Sequence, residues 1–280
     1  KLLGTIGGTV LGGVGNTDLR WETTRRLTYG IDLKLLNDRL AVSANFFHSR
    51  TTNLLSLQSL AYVTGMAQNW GNGGELANRG FDINATARLL NRKDWKWEMG
   101  ASLGHYNNKV KKLPEGNFIT DLYGGSVITQ VGSPVGLFYG YKTEGVFSTT
   151  AEAQAANLCV EDEAGRRTQF QAGDMHFVDF NGDGVINESD RTVIGNPNPD
   201  IYGNIFTNLQ WRRLRLAVNF KYSLGGDIYN YQRSLIEGGF NFYNQTTAMC
   251  HRWTTEGQVT DIPRTTYGDP MGNSRFSDRW

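Results

Sequence analysis

Cysteine, histidine and proline are scarce in this 280-residue chain, with two, four and six copies. Cys159 and Cys250 lie far apart and outside any metal-binding spacing. They either pair in an oxidising compartment or both stay free. His48, His105, His176 and His251 are scattered, with no HExxH or CxxC pattern near them. No GxSxG elbow accompanies a His/Asp constellation. The glycine pairs Gly7-Gly8 and Gly12-Gly13 are followed by no Lys-Ser/Thr, so they make no phosphate loop. His176 stands close to Asp179 and reads as a solvent-facing loop histidine, while spacing alone gives Asp174 and Glu188 no catalytic role. No catalysis is expected. Charge excess is also missing: the net charge is +1, which argues against electrostatic capture of nucleic acid. No run approaches the roughly 20 apolar residues of a membrane helix. No signal peptide opens the chain, and both ends look like cuts, so a fragment of a longer protein is expected.

Glycine is plentiful at 34 copies, alongside many Asn, Thr and aromatic residues. That mixture suits strands, tight turns and long loops. Three hairpins stand out by period-two alternation. The first sets Leu27, Tyr29, Ile31, Leu33 and Leu35 against Thr28, Gly30, Asp32 and Lys34, turns at Asn37-Asp38, and returns through Leu40, Val42, Ala44 and Phe46. The second runs from Phe81 to Leu89, turns at Asn91-Arg92-Lys93-Asp94, and returns from Trp95 to Leu103. The third runs from Ile201 to Trp211, turns at Arg212-Arg213, and returns through Leu214, Leu216, Val218, Phe220 and Tyr222.

A soluble sandwich would alternate in the same way. Three features favour membrane-spanning strands. Each run has about the 9–12 residues a tilted strand needs to cross hydrocarbon. The polar faces are strongly polar, as a watery lumen permits. The connections are lopsided, with very short turns inside each hairpin. Long segments follow between hairpins, from about Thr51 to Asn78, from Tyr106 to Asp200, and from Ser223 onward. Trp95, Trp97 and Trp211 sit beside the short turns among lysines and arginines, as interfacial girdle residues do. Six strands cannot close a large barrel, so the other strands are expected outside this sequence. The fold expected is therefore all-β, a portion of a large antiparallel transmembrane barrel. On this reading Leu33, Val42 and Leu216 face lipid.

Residues 106–200 form the longest expected loop region. Within it, 148–158 reads as a short helix with hydroxyl caps and an alanine-rich interior. Further on, residues 179–190 have the spacing of an EF-hand calcium loop. Asp179, Asn181 and Asp183 hold the first three ligand positions. Gly184 makes the sharp turn, Val185 offers a backbone carbonyl, Asn187 stands where a ligand often acts through water, and Asp190 takes the last position. Asp in place of the usual Glu there is shorter, which lowers affinity and admits magnesium beside calcium. Ile186 reads as an inward anchor. The bland alternative is an Asx-rich turn without metal. Clustered carboxylates that repel one another favour the cation. The flanks do not form an EF-hand, so a structural loop is expected and a calcium sensor is not. Aromatic residues stud the long segments, among them Tyr62, Trp70, Phe118, Tyr123, Phe138, Tyr139, Tyr141, Tyr229, Tyr231, Phe240, Phe242, Tyr243 and Trp253. They either stack on ligands or build small cores inside the loops, the second being the expectation for any one of them.

Asn16 to Glu22 reads N-x-x-L-x-W-E, and Asn78-Arg79-Gly80-Phe81-Asp82 reads N-K/R-G-F-E/D. Both resemble strand openings of the SusC/RagA-type, TonB-linked outer-membrane transporter family. Val131 to Tyr141 resembles its VG-x-P-x-G-x-FYGY segment. The strongest match runs from Gly173-Asp174 through the metal loop to Asp200, and Ser274 to Trp280 resembles the S-x-R-W/F run before the last strands. The resemblance spans nearly the whole chain in the family's order. It implies a barrel of about 22 strands, an N-terminal plug, a segment that contacts TonB, and a SusD-like surface lipoprotein as lid. It also implies an oligosaccharide or sometimes a peptide as cargo. This chain would be the barrel portion 1–280, with the plug and last strands outside it. The function expected is nutrient import across the outer membrane of a Gram-negative cell, with the loops outside. The alternative is a calcium-stabilised surface β-protein that binds carbohydrate without transporting it.

Overall fold

The computed structural model of the protein describes residues 15–59 and 68–280. Gly7-Gly8, Gly12-Gly13 and Tyr62 lie outside the described residues. The strands in chain order begin with four long ones, β1 (Thr23–Leu35), β2 (Leu40–Ser59), β3 (Gln68–Asn91) and β4 (Trp95–Lys112). Short ones follow: β5 (Phe118–Leu122), β6 (Gly125–Thr129), β7 (Leu137–Gly140), β8 (Thr143–Val146), β9 (Cys159–Glu161), β10 (Arg167–Gln169), β11 (Met175–Phe177) and β12 (Thr192–Gly195). β13 (Ile201–Trp211) and β14 (Leu214–Leu224) are long again. Helix α1 (Thr150–Ala156) lies between β8 and β9, and α2 (Tyr231–Ile236) follows β14. The chain divides into two compact units.

The first unit comprises Lys1–Phe118, Thr129–Val135 and Asn198–Gly225. Its six long strands form one antiparallel sheet in the order β1-β2-β3-β4-β13-β14. The register turns the alternation within each strand into rows across the sheet. Leu33, Val42, Ala85, Ala101, Ile205 and Phe220 are successive partners in one row. One residue earlier along β1, Asp32, Ser43, Asn84, Ser102, Asn204 and Lys221 make the neighbouring row on the opposite face. Ser102 and Asn204 are hydrogen-bonded within it. One face is thus apolar and the other polar across all six strands. The apolar row is open to its surroundings, with Leu33 49%, Ile205 47% and Phe220 65% exposed. Leu216 is also exposed and Val42 is half-buried. A continuous apolar surface of this kind is costly in water and neutral in hydrocarbon. Gly203 shows why one strand position lacks a side chain. Tyr222 lies across it to donate its hydroxyl to the Ser102 carbonyl at 2.8 Å, and a Cβ there would meet that carbonyl.

The three hairpins match the alternation, but β2, β3 and β4 run well beyond their expected ends. The segment from Thr51 to Asn78, expected as a long connection, is mostly ladder, with β2 and β3 paired out to Ser59 and Gln68. Register shifts at Thr52/Leu54 and Leu54/Leu55, where Asn53 is left-handed with φ +57°, break the two-residue period and hide the strand from pattern reading. Arg50 and Glu75 brace this extension through paired contacts of 2.6 and 2.9 Å. β4 likewise continues to Lys112, where Val110 exchanges backbone hydrogen bonds with Gly132 and Ser133. The β13–β14 turn places Arg212 in the left-handed region at φ +50°. Asn or Gly fills such a position at less strain, and an L-residue like arginine costs about 1 kcal/mol there.

The second unit comprises Ile119–Ile128, Gly136–Pro197 and Gly226–Trp280. Its core gathers Phe147, Leu158, Phe170, Met175, Phe177, Ile186 and Met271. Tyr141 meets Phe177 edge-on at 5.6 Å. Helix α1 forms as its sequence predicts. Thr149 caps it by accepting from Glu152 N, the Glu152 side chain reaches back to the Thr149 backbone, and left-handed Asn157 ends it. Phe138, Tyr229 and Phe276 make a separate aromatic cluster, Tyr229 and Phe276 meeting edge-on at 4.8 Å. Trp70, Phe118, Tyr123, Phe242 and Tyr243 are exposed instead. The loop aromatics therefore divide between small cores and open surface.

Candidate functional site

Residues 179–190 leave β11 and enter β12 as one compact turn. Burial of Ile186 and Val185 pins its second half. Ile186 N donates to the Cys159 carbonyl at 2.8 Å and Cys159 N to the Gly184 carbonyl at 2.9 Å, which hooks the loop onto β9. The inward anchor expected at Ile186 is present. Gly182 and Gly184 have φ of +74° and +75°, the left-handed steps that let the chain wrap.

The side chains of Asp179, Asn181, Asp183, Asn187 and Asp190 turn back on the loop's own backbone. Asp179 accepts from Gly182 N at 2.7 Å and from Gly184 N at 2.8 Å. Asn181 accepts from Asp183 N, Asp183 from Val185 N, and Asn187 from Ser189 N. Asp190 has no exposed surface and accepts from Phe180 N at 3.0 Å and Asn187 N at 2.9 Å. The Val185 carbonyl accepts from the Asn187 amide at 3.2 Å. Burial works to raise Asp179, yet its carboxyl is held below the usual carboxylate range. The backbone N–H groups of Gly184, Gly182 and Asp183, with the Asp190 side chain, outweigh the burial.

The six positions supply hard oxygen donors by type, three carboxylates, two amides and a carbonyl, and their side-chain oxygens accept from the loop's own backbone N–H groups. Among the described residues no Lys or Arg forms an ion pair with Asp179, Asp183 or Asp190. Nor does any group of three or more His, Cys, Asp or Glu side chains close into a metal-holding cluster among them. The donor types are those a hard cation takes, and Arg167 acts through space on Asp183.

Other residues singled out by sequence have structural work. His176 is half-buried rather than solvent-facing, because its ring stacks on Phe147 at 4.3 Å. Burial lowers its pKa against the opposing pull of Glu144 and Glu152. Asp174 is fully buried. It accepts from Arg264 at 2.8 and 3.0 Å, from the Asn273 amide at 2.9 Å and from Gln171 N at 2.9 Å. Glu188 lies apart from it, 3.8 Å from Arg191. Cys159 and Cys250 are both free, the first buried and the second exposed. Sequence reading missed the Asp174–Arg264–Asn273 cluster, since nothing local joins residues about 90 positions apart.

Two hollows accompany these features. On the sheet, one of about 400 Å³ is lined by Arg88, Lys96, Glu98, Asn208, Gln210 and Arg215 among others. In the second unit, one of about 150 Å³ lies between Phe138, Tyr229, Phe276 and Trp280 beside Asp227 and Asp278. Among the described residues no helix is long and apolar enough to cross a membrane.

The family model described as TonB dependent receptor-like, beta-barrel matches residues 4–155. TonB-dependent receptor P3 of Formosa agariphila is 31% identical over 278 residues, which is 97% of this chain and 27% of that protein. TonB-dependent receptor SusC of Bacteroides thetaiotaomicron is 25% identical over 227 residues, covering 76% of this chain and 20% of SusC. The chain thus spans about a quarter of the length of the curated relatives it matches. Among solved structures, that of the RagAB peptide importer in its open-open state aligns with a TM-score of 0.72 at 22% identity, over 92% of this chain and 27% of that one. The structure of the RagAB peptide transporter aligns with a TM-score of 0.68 at 22% identity, over 94% and 28%.

Proposed function

The chain belongs to the TonB-dependent receptor-like β-barrel family, and on that premise we propose that it supplies wall and outer loops to an importer of oligosaccharides or peptides. Barrels of this family reside in the outer membrane. The observation that carries the reading is the pair of rows across six strands. Leu33 to Phe220 offers an apolar surface to lipid, and Asp32 to Lys221 offers a polar surface to a wet lumen. A calcium-stabilised surface protein without transport needs a cover for the apolar row, and the exposure of Leu33, Ile205 and Phe220 speaks against one. The cargo enters from the long-loop side, a SusD-like lipoprotein closes over it, and TonB supplies energy from the inner membrane. The peptide class is suggested by the likeness in fold to the RagAB peptide transporter, and the oligosaccharide class by the motif resemblance to the SusC-type transporters. Growth of a strain lacking the gene, on panels of oligosaccharides and peptides as sole nutrient, tests the import. A deletion strain that grows like its parent on every member, with purified full-length receptor binding none of them, would rule it out.

Calcium, or magnesium in its place, sits in the 179–190 loop and is held by Asp179, Asn181, Asp183, the Val185 carbonyl, Asn187 and Asp190. The support is the ligand spacing, the three carboxylates, two amides and one carbonyl of the loop, and the lack among the described residues of a direct ion pair to Asp179, Asp183 or Asp190. A chelator should expose residues 106–200 to protease before the strands unfold. Cleavage that is the same with and without chelator would remove the metal from this loop.

A further inference from the structure

We infer that the adjoining β3–β4 and β13–β14 turns form a binding site for the phosphate headgroup of an anionic phospholipid. The inference rests on the membrane-barrel reading above. β4 and β13 are neighbours, and Trp95 and Trp211 face one another where they begin and end. The two indoles stack at 5.6 Å with planes 26° apart, on the same face as the lipid-facing row. Arg212 N donates to the Asp94 carbonyl at 2.8 Å, which ties one turn to the other. The pair presents Arg92, Lys93, Arg212 and Arg213, all exposed, against the single carboxylate of Asp94. Among the described residues none of these four cations has an ion-pair partner. The Arg212 guanidinium lies 5.9 Å from the Trp211 ring.

Guanidinium groups grip phosphate oxygens in pairs, and indole rings settle at the border between hydrocarbon and headgroup. Stacked rings at that depth with cations in the turns just beyond them match the order of parts in a lipid. The sequence accepts a penalty for this charge, because Arg212 occupies a left-handed position that Asn or Gly would fill with less strain. The charge is also local. The β1–β2 turn, with Asn37, Asp38 and Arg39, has no cationic excess.

The test uses the full-length receptor in nanodiscs of mixed phosphatidylcholine and phosphatidylglycerol, with native mass spectrometry of the lipid retained after extraction. Wild type should retain phosphatidylglycerol on the order of tenfold over phosphatidylcholine, since each basic residue near an anionic surface contributes several-fold. The fourfold change Arg92→Gln, Lys93→Gln, Arg212→Gln and Arg213→Gln should bring retention to parity. Swapping lysine and arginine at the same four positions should keep the preference, and Arg39→Gln should leave it unchanged. Parity in wild type, or a preference that survives the glutamine changes, overturns the site. Capture of a soluble polyglutamate peptide without lipid preference also overturns it, in favour of a protein partner. A receptor that stays monodisperse without detergent or lipid refutes the barrel reading itself, which separates the two failures.

Discussion

A carboxylate with no exposed surface needs its oxygens occupied, and Asp174 meets that need with a guanidinium, an amide and a backbone N–H. Replacing it by alanine strands Arg264 and the Asn273 amide. Asp174→Ala should destabilise the second unit by about 2–4 kcal/mol, somewhat less than a fully buried pair because Arg264 is partly exposed. Hydrogen exchange along residues 226–280 reads this directly, and unchanged protection there contradicts the assignment. Arg212 is the opposite case, a residue whose removal should help. Arg212→Asn relieves a left-handed arginine and should raise stability by about 0.5–1 kcal/mol, seen as a higher urea midpoint of the receptor in lipid. A lowered midpoint would show that the turn is not strained. Neither role was legible in sequence. Asp174 gains its meaning from Arg264 and Asn273, and Arg212 from a backbone angle.

At the scale of elements, legibility follows periodicity. β13 was readable to its ends and β14 to within two residues of its last, because no bulge interrupts their pairing. The upper half of β2 was not, because two register shifts put successive apolar residues out of step. Helix α1 was readable from Thr149 and Glu152, whose capping box is purely local. The 179–190 loop was readable as a fold for the same reason, since its side chains bond within five residues in most cases. What the sequence missed nearby is the packing of β11. His176 is held below its ordinary pKa by burial against Phe147. The folded form therefore binds its proton less readily than the unfolded chain. Stability is full above the unfolded value near pH 6.5 and is lost as pH falls through it toward the lower folded value. Protection of β11 amides should drop over that window in wild type and stay level in His176→Phe. An equal drop in both proteins would assign the effect to another group.

For the whole molecule, the decisive comparison is between neighbours on opposite faces. Leu33→Arg puts a cation into the lipid-facing row and should cost about 2–4 kcal/mol of folding in a bilayer, while Asp32→Arg faces the polar row and should cost far less. Refolding into vesicles measures both, and equal penalties would mean that the two faces do not meet different solvents. This two-sidedness was legible from alternation alone. The partnering of β4 with β13 was not, because period-two patterns say nothing about which strands meet across residues 113–200. That pairing has an evolutionary consequence. The insert between the two staves is moored at both flanks, by Gly132 and Ser133 to Val110 and by Asp174 to Arg264 and Asn273. Gains and losses of length in the insert are therefore expected between those moorings and not across them.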